Sequence, residues 1–297
     1  MTGEGIAGGD GRGGGIAGAV AAVTGARVAA ARRVGGGDIS AAYRVELADG
    51  RTVFAKTLGD PPPGFFAAEA NGLALLRGTR TAPVPAVLGW DEGLIVLEWL
   101  EPAPATAAAA DRLGRELAAL HDTPAAAYGT PWPAYIGSLP LPSPAGPVDW
   151  PAFYAEYRLL PYLRRAVDRG GLAPGDARDV ERLCGRIAEV AGPPQPPAVI
   201  HGDLWSGNVH WSADGAHLVD PAAQGGHPET DLAFLELFGS PFLARILSAY
   251  DEVRPLPGRR ARVPLHQLHH LLVHAALFGS SYGARCGAAA RAALHGG

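Results

Sequence analysis

Between Val199 and Asp220 the chain reads VIHGDLWSGNVHWSADGAHLVD, which puts Asp203 five residues before Asn208 and Asp220 twelve residues after it. Phosphoryl transfer from ATP needs a carboxylate to accept the proton of the attacking hydroxyl, and oxygen ligands that hold Mg²⁺ on the phosphates. D-x-x-x-x-N followed by a short hairpin ending in Asp supplies those parts in the order kinases use. Asp203 is therefore the candidate base, and Asn208 and Asp220 are the candidate Mg²⁺ ligands, with asparagine the neutral oxygen ligand that suits a hard cation. Taken singly, Gly202-Asp203 and Asp220-Pro221 read as turn residues; only the combination points to chemistry.

Of 25 basic side chains only Lys56 is a lysine. A lysine kept where arginine stands everywhere else marks a place that needs a compact point charge rather than a planar fork. Lys56 ends the run Val53-Phe54-Ala55-Lys56, and Glu69 follows thirteen residues later at the start of a helical pattern. A strand lysine paired with a helix glutamate can hold the α and β phosphates of ATP. Gly50 to Thr57 nearly matches the Walker A pattern, but Ala55 stands where glycine is needed and the run is strand-like, so that reading is rejected. Gly35, Gly36 and Gly37 give a flexible turn whose N–H groups can approach phosphate. Glu98, Trp99 and Leu100 lie where backbone groups could hydrogen-bond adenine, although an ordinary linker fits them as well. His266, His270 and His274 share one helical face without a cysteine or carboxylate in view; they read as core histidines, with His274 a candidate for the substrate cleft.

These residues need elements to position them. Residues 1–15 are Gly-rich and are expected to lack structure. A short helix over 16–23 precedes strands over 26–34, 42–48 and 52–58, the last two joined at Asp49-Gly50, a dipeptide suited to a hairpin. A helix over 65–77 and strands over 86–90 and 93–99 follow. The rest is mostly helical, over 106–120, 150–168, 174–190, 230–238, 241–250 and 263–278, with Pro-rich joints at 140–147 and 193–197 and short strands at 199–200 and 216–219. The expected fold is α+β and bilobal, protein-kinase-like. Residues 16–99 form an N-lobe with a small five-stranded antiparallel sheet and one main helix, and 100–297 a larger, mostly helical C-lobe.

Composition narrows the partners. With 47% hydrophobic and 18% charged residues the chain can bury a large core, and a net charge of −4 gives no basic surplus for a nucleic-acid backbone. No run approaches a membrane span, the N-terminus has no signal-peptide pattern, and two distant cysteines exclude a disulfide framework. A cytoplasmic protein acting on small molecules is expected.

HGDLWSGN at 201–208, DPA at 220–222, GH at 226–227 and DLAFLELFG at 231–239 resemble the fructosamine kinase (ketosamine-3-kinase) family, as do YRVELADGRTVFAKT at 43–57, EANGLALLR at 69–77, YIG at 135–137, FYAEYRLLP at 153–161 and HLLVHAALFG at 270–279. The resemblance covers nearly everything after residue 16. It implies ATP- and Mg²⁺-dependent phosphorylation of the 3-hydroxyl of ketosamines, free or on glycated proteins, a deglycation repair reaction that frees the amine. It implies that Asp203 is the base, that Asn208 and Asp220 hold metal, that Lys56 with Glu69 orients the phosphates, and that Trp205 offers a flat face to the sugar or its amine substituent. Two departures stand out: Asp38 replaces the cysteine that many members carry in the Gly-rich loop, and Pro140-Leu141-Pro142-Ser143 replaces a P-Q-x-N-like stretch. HGD…N…D alone is shared with aminoglycoside and choline kinases, so a kinase of those types stays open. So does a non-catalytic ATP-binding module, against which the intact Lys56, Asp203, Asn208 and Asp220 argue. The absence of HRD, DFG and APE disfavours a protein kinase.

Overall fold

The structure, a computed structural model, describes residues 13–35 and 40–296. Gly36, Gly37 and Asp38 of the glycine loop, and all but the end of the N-terminal segment, lie outside the described residues. The chain divides into two compact units. The first holds the residues up to Ala70 with Pro85–Leu100, and the second holds Asn71–Val84 with the rest from Glu101 on.

In the first unit α1 (Gly13–Thr24) begins inside the segment expected to lack structure. It is followed by β1 (Val28–Val34), β2 (Ala41–Leu47), β3 (Thr52–Thr57), the start of α2 (Phe65–Thr79), β4 (Val87–Trp90) and β5 (Leu94–Glu98). The sheet is antiparallel throughout, in the order β1-β2-β3-β5-β4. The β2–β3 hairpin turns at Asp49-Gly50, where Gly50 takes φ +91°, the region open to glycine. β3 is central, and its alternation places Val53 and Ala55 in the core with Ile16, Val20, Val45, Leu94 and Val96. At Gly89 a side chain would collide with Val23 of α1, so this glycine lets β4 lie against the helix.

The second unit continues with α3 (Ala107–His121), β6 (Ala134–Ile136), β7 (Leu139–Leu141), α4 (Trp150–Phe153), a π-helical segment (Tyr154–Leu159), α5 (Leu160–Asp168), α6 (Pro174–Gly185), α7 (Ile187–Val190), β8 (Ala198–Ile200), β9 (Val209–Ser212), β10 (Gly215–Leu218), β11 (Gln224–Gly226), α8 (Pro228–Phe238), α9 (Leu243–Val253), α10 (Arg259–Phe278) and α11 (Gly283–His295). The Pro-rich 140–147 stretch is not wholly a joint, because Pro140 sits in β7 paired with Tyr135. The helix expected over 174–190 breaks at Gly185-Arg186 into α6 and α7. α11 went unpredicted because GARCGAAARAALH lacks large apolar residues at helical spacing; it packs on alanines, glycines and Cys286 instead.

The π segment has a local cause. Pro161 has no N–H to give the carbonyl of Tyr157 and its ring crowds that carbonyl, so the helix widens. The Tyr157 carbonyl is taken by Arg158, whose Nη1 lies 2.8 Å away. Arg158 is buried, donates also to Pro142 O and Gln224 Oε1, and lies 4.4 Å over the Phe153 ring. Burial among neutral partners pushes its pKa down to about 10, still charged at neutral pH.

Candidate active site

β8 is buried along its length and delivers the chain to a loop that starts at His201. Gly202 takes φ +80°, and a side chain on it would collide with the Ala222 carbonyl, so only glycine lets this loop pass β11's approach. The loop backbone hangs on Asp231 in the first turn of α8. This fully buried carboxylate accepts the His201 N–H at 2.7 Å and the Gly202 N–H at 2.9 Å, and His121 Nε2 stands 3.1 Å from it. Burial works to raise the Asp231 pKa, but the hydrogen bond to His121 and the N–H donated by His201 outweigh it, and Asp231 stays ionised.

His201 ties the loop to the far side of the β9–β10 hairpin. Its Nε2 donates to Val219 O at 2.9 Å and its Nδ1 accepts the Asp203 N–H at 3.3 Å, which fixes one neutral tautomer. Burial lowers its pKa, consistent with that state. Asn208, at the end of a 3-10 turn (Ser206–Asn208), points Nδ2 at Asp203 O (2.8 Å), Asp203 Oδ2 (3.1 Å) and Asp220 O (3.4 Å). With the nitrogen engaged on Asp203, the amide oxygen is the atom left for a ligand. Val219 N–H donates to Asn208 O, and Asp220 follows with φ +50°, a left-handed backbone that a non-glycine residue holds only where its surroundings impose it. Asp203, Asn208 and Asp220, spread over eighteen positions, thus meet in one hydrogen-bonded group, which Asp220 joins through its backbone carbonyl.

Trp205 is 37% exposed beside this group, and its ring covers Gly207, where any side chain would strike it. His270 of α10 is fully buried, stacks on Phe234 at 3.6 Å, and places Nε2 3.0 Å from Gly202 O and 3.9 Å from Asp203 Oδ1. Desolvation holds its pKa near about 3, so it is a neutral donor to the loop at working pH. His274, one turn on, packs 5.3 Å from Phe238 and gives Nδ1–H to His270 O.

The sequence reading of the α10 histidines needs correction. A carboxylate does accompany His266: Glu229 and His227 bring donor atoms within 4.8 Å of it, all buried. Arg262, however, forks onto both Glu229 oxygens and is itself the cation that this carboxylate faces. His269 donates to Arg158 O. The four histidines therefore serve separate contacts, and no spacing rule reveals that, because Glu229 and Arg262 lie 33 residues apart.

In the first unit Lys56 Nζ and Glu69 Oε2 lie 2.7 Å apart, both nearly buried, as a strand-to-helix pair. Lys56 reaches this place because its neighbour Ala55 faces the opposite, fully buried side of β3. Gly35 follows β1 with open space around it. Glu98 closes β5, and its N–H is already committed to Ala86 O at 2.9 Å while its carboxylate takes the Ala86 N–H. Trp99 and Leu100 lie beyond the strand, Trp99 with Arg44 5.5 Å from its ring. Among the described residues no helix is long and apolar enough to cross a membrane.

A carboxylate held by an asparagine amide, with a second aspartate joined to that amide through its backbone carbonyl, and a lysine–glutamate pair on a small antiparallel sheet are the equipment of a protein-kinase-like phosphotransferase. Solved structures agree on the fold: macrolide 2'-phosphotransferase MphH of Brachybacterium faecium superposes with a TM-score of 0.60 at 20% identity, covering 95% of this chain and 97% of its own. The family model for fructosamine kinase matches residues 16–295, and the chain belongs to the fructosamine kinase family, whose members are ATP-dependent phosphotransferases. It is 41% identical over 251 residues to a Thermus thermophilus protein named probable ketoamine kinase TTHA1179, covering 83% of this chain and 87% of that one. A crystal structure of a Thermobifida fusca protein provisionally named a fructosamine-3-kinase has a TM-score of 0.88 at 51% identity, over 94% of this chain and 98% of that one.

Proposed function

We propose that this protein transfers the γ-phosphoryl group of ATP to the 3-hydroxyl of ketosamines, in the cytoplasm, so that the phosphorylated adduct decomposes and the amine is released. The observation that carries this is the hydrogen-bonded group of Asp203, Asn208 and Asp220 beside an exposed Trp205, in a chain of the fructosamine kinase family. In this reading Asp203 accepts the substrate hydroxyl proton. The Asn208 amide holds Asp203 through its nitrogen, which fixes the carboxylate for the transfer. Lys56, aimed by Glu69, takes the α and β phosphates. Gly35, Gly36 and Gly37 approach the phosphates with backbone N–H groups. Adenine pairs with the backbone of the Glu98–Leu100 segment, and because the Glu98 N–H is engaged, the donor falls to Trp99 or Leu100. Trp205 and His274 receive the substrate.

Asn208 and Asp220 offer the hard oxygen ligands that suit Mg²⁺, which when bound with nucleotide would neutralise charge on the transferring phosphoryl group.

An ATP-consumption screen over ribulosamines, fructosamines, choline and aminoglycosides tests the substrate, with Asp203→Asn as the mechanistic control. Turnover on ketosamines alone is expected, and the variant should fall by about 10² to 10⁴ while still binding nucleotide. Preferred turnover of choline or an aminoglycoside, or near-native turnover by the variant, would overturn the assignment.

A further inference from the structure

From Trp205 a row of rings runs along the surface of the second unit. Trp205 meets Phe238 edge-on at 6.2 Å, Phe238 meets His274 at 5.3 Å, and His274 meets Tyr282 at 4.9 Å and Phe278 at 5.5 Å. Trp205, Phe238 and Phe278 are 37%, 38% and 49% exposed, whereas Trp150, Tyr154, Tyr162 and Phe234 of the same unit are buried. A contiguous exposed aromatic row is costly in water and marks a surface that meets a ligand. It begins two residues from the proposed base.

The row ends in a cation. Arg285 of α11 is exposed, and its guanidinium carbon lies 5.9 Å from the ring centres of both Phe238 and Tyr282. Arg291, on the same helix, pairs with Asp176 and Asp179; Arg245, Arg254, Arg259 and Arg262 likewise each have a carboxylate. Arg285 has no ion pair among the described residues. A guanidinium held over aromatic faces, without a protein counter-charge, is suited to a ligand carboxylate.

We propose that this row is the subsite for the amine-derived part of the substrate, and that it selects ketosamines of α-amino acids with aromatic or branched apolar side chains. The inference rests on the ketosamine kinase reading above. The amine nitrogen is attached at C1 of the sugar, three bonds from the C3 that carries the reacting hydroxyl, so a hydroxyl at Asp203 leaves the nitrogen substituent near Trp205. The side chain then lies along Phe238 and His274, and the α-carboxylate meets Arg285. A ketosamine on a lysine side chain within a protein carries no carboxylate next to its amine and gains nothing from that arginine.

The test compares kcat/KM for the ketosamine of phenylalanine with that of phenethylamine, which keeps the ring and lacks the carboxylate. Wild type is expected to prefer the carboxylate by about 10-fold or more, the scale of one hydrogen bond to a charged group. Arg285→Gln should bring the ratio close to one, and Arg285→Lys should recover part of it. Because the ratio is read within each variant, a general loss of activity or stability does not disturb it. Equal kcat/KM for the two compounds in wild type, an unchanged ratio in Arg285→Gln, or a higher kcat/KM for a peptide glycated on lysine would overturn the subsite while leaving the kinase reading intact. No ATP consumption with any ketosamine would overturn both.

Discussion

Lys56 carries the sharpest prediction at the residue scale. Every other basic position of the chain is arginine, so composition alone makes Lys56→Arg harmless. The structure argues otherwise, because Lys56 is nearly buried and bonded to Glu69 at 2.7 Å, leaving little room for a wider, planar head whose donors point in fixed directions. Lys56→Arg should still fold, with a single cooperative melt, yet lose about 10-fold or more in kcat, about 1.4 kcal/mol of transition-state stabilisation. Steady-state kinetics beside a melt of the same preparation decide it, and wild-type kcat would return Lys56 to an ordinary structural ion pair. Gly207 offers a second check. A methyl group there strikes the Trp205 ring, so Gly207→Ala should raise the KM for ketosamine several-fold with little change in the KM for ATP; equal effects on both would remove Trp205 from the substrate side.

At the scale of elements, α3 contains a carboxylate in an unfavourable place. Glu116 is mostly buried, its Oε2 lacks a hydrogen-bond partner among the described residues, and Arg112 is 3.9 Å from the other oxygen. Burial pushes its pKa up to about 7, with Arg112 and Arg115 only partly opposing. The native state therefore holds a proton that the unfolded chain gives up near pH 4.5, so stability is lost as pH rises from there through about 7. Glu116→Gln keeps the shape and removes the ionisation. Its melting temperature should exceed that of wild type by a few degrees at pH 8, corresponding to about 1–2 kcal/mol after allowance for partial solvent access, and match it at pH 5. The same difference at both pH values would mean that the side chain acts through packing rather than charge.

For the whole molecule, nucleotide and metal should stabilise the fold together. MgADP at about a hundred times its Kd adds about 2.7 kcal/mol if it binds only the native state, enough to raise the melting temperature by several degrees. Asn208→Ala and Asp220→Ala should keep the shift seen with ADP alone and lose the increment from Mg²⁺. A full Mg²⁺ increment in both variants would remove these two residues from the metal site.

Much of this was legible before the chain was folded. Alternating apolar residues and Asp49-Gly50 defined the β2–β3 hairpin, since strand period and positive-φ turns are local properties, and the spacing of Asp203, Asn208 and Asp220 pointed to phosphoryl transfer because hairpin lengths translate directly into sequence distance. Local pattern failed where stability comes from partners far along the chain. α11 is built of small residues that become helical by close packing, and Arg158, which takes the carbonyl freed by Pro161, is itself held by Gln224, 66 residues further on. Asp231 looked like one more residue of α8 until folding placed it under the His201 and Gly202 amides. The row from Trp205 to Arg285 draws on four separate stretches of sequence. Sequence by itself determined which chemical groups exist and the local turns that present them; which distant groups share a site was decided by the tertiary structure, because burial and counter-charge are properties of the packed chain and of no shorter segment.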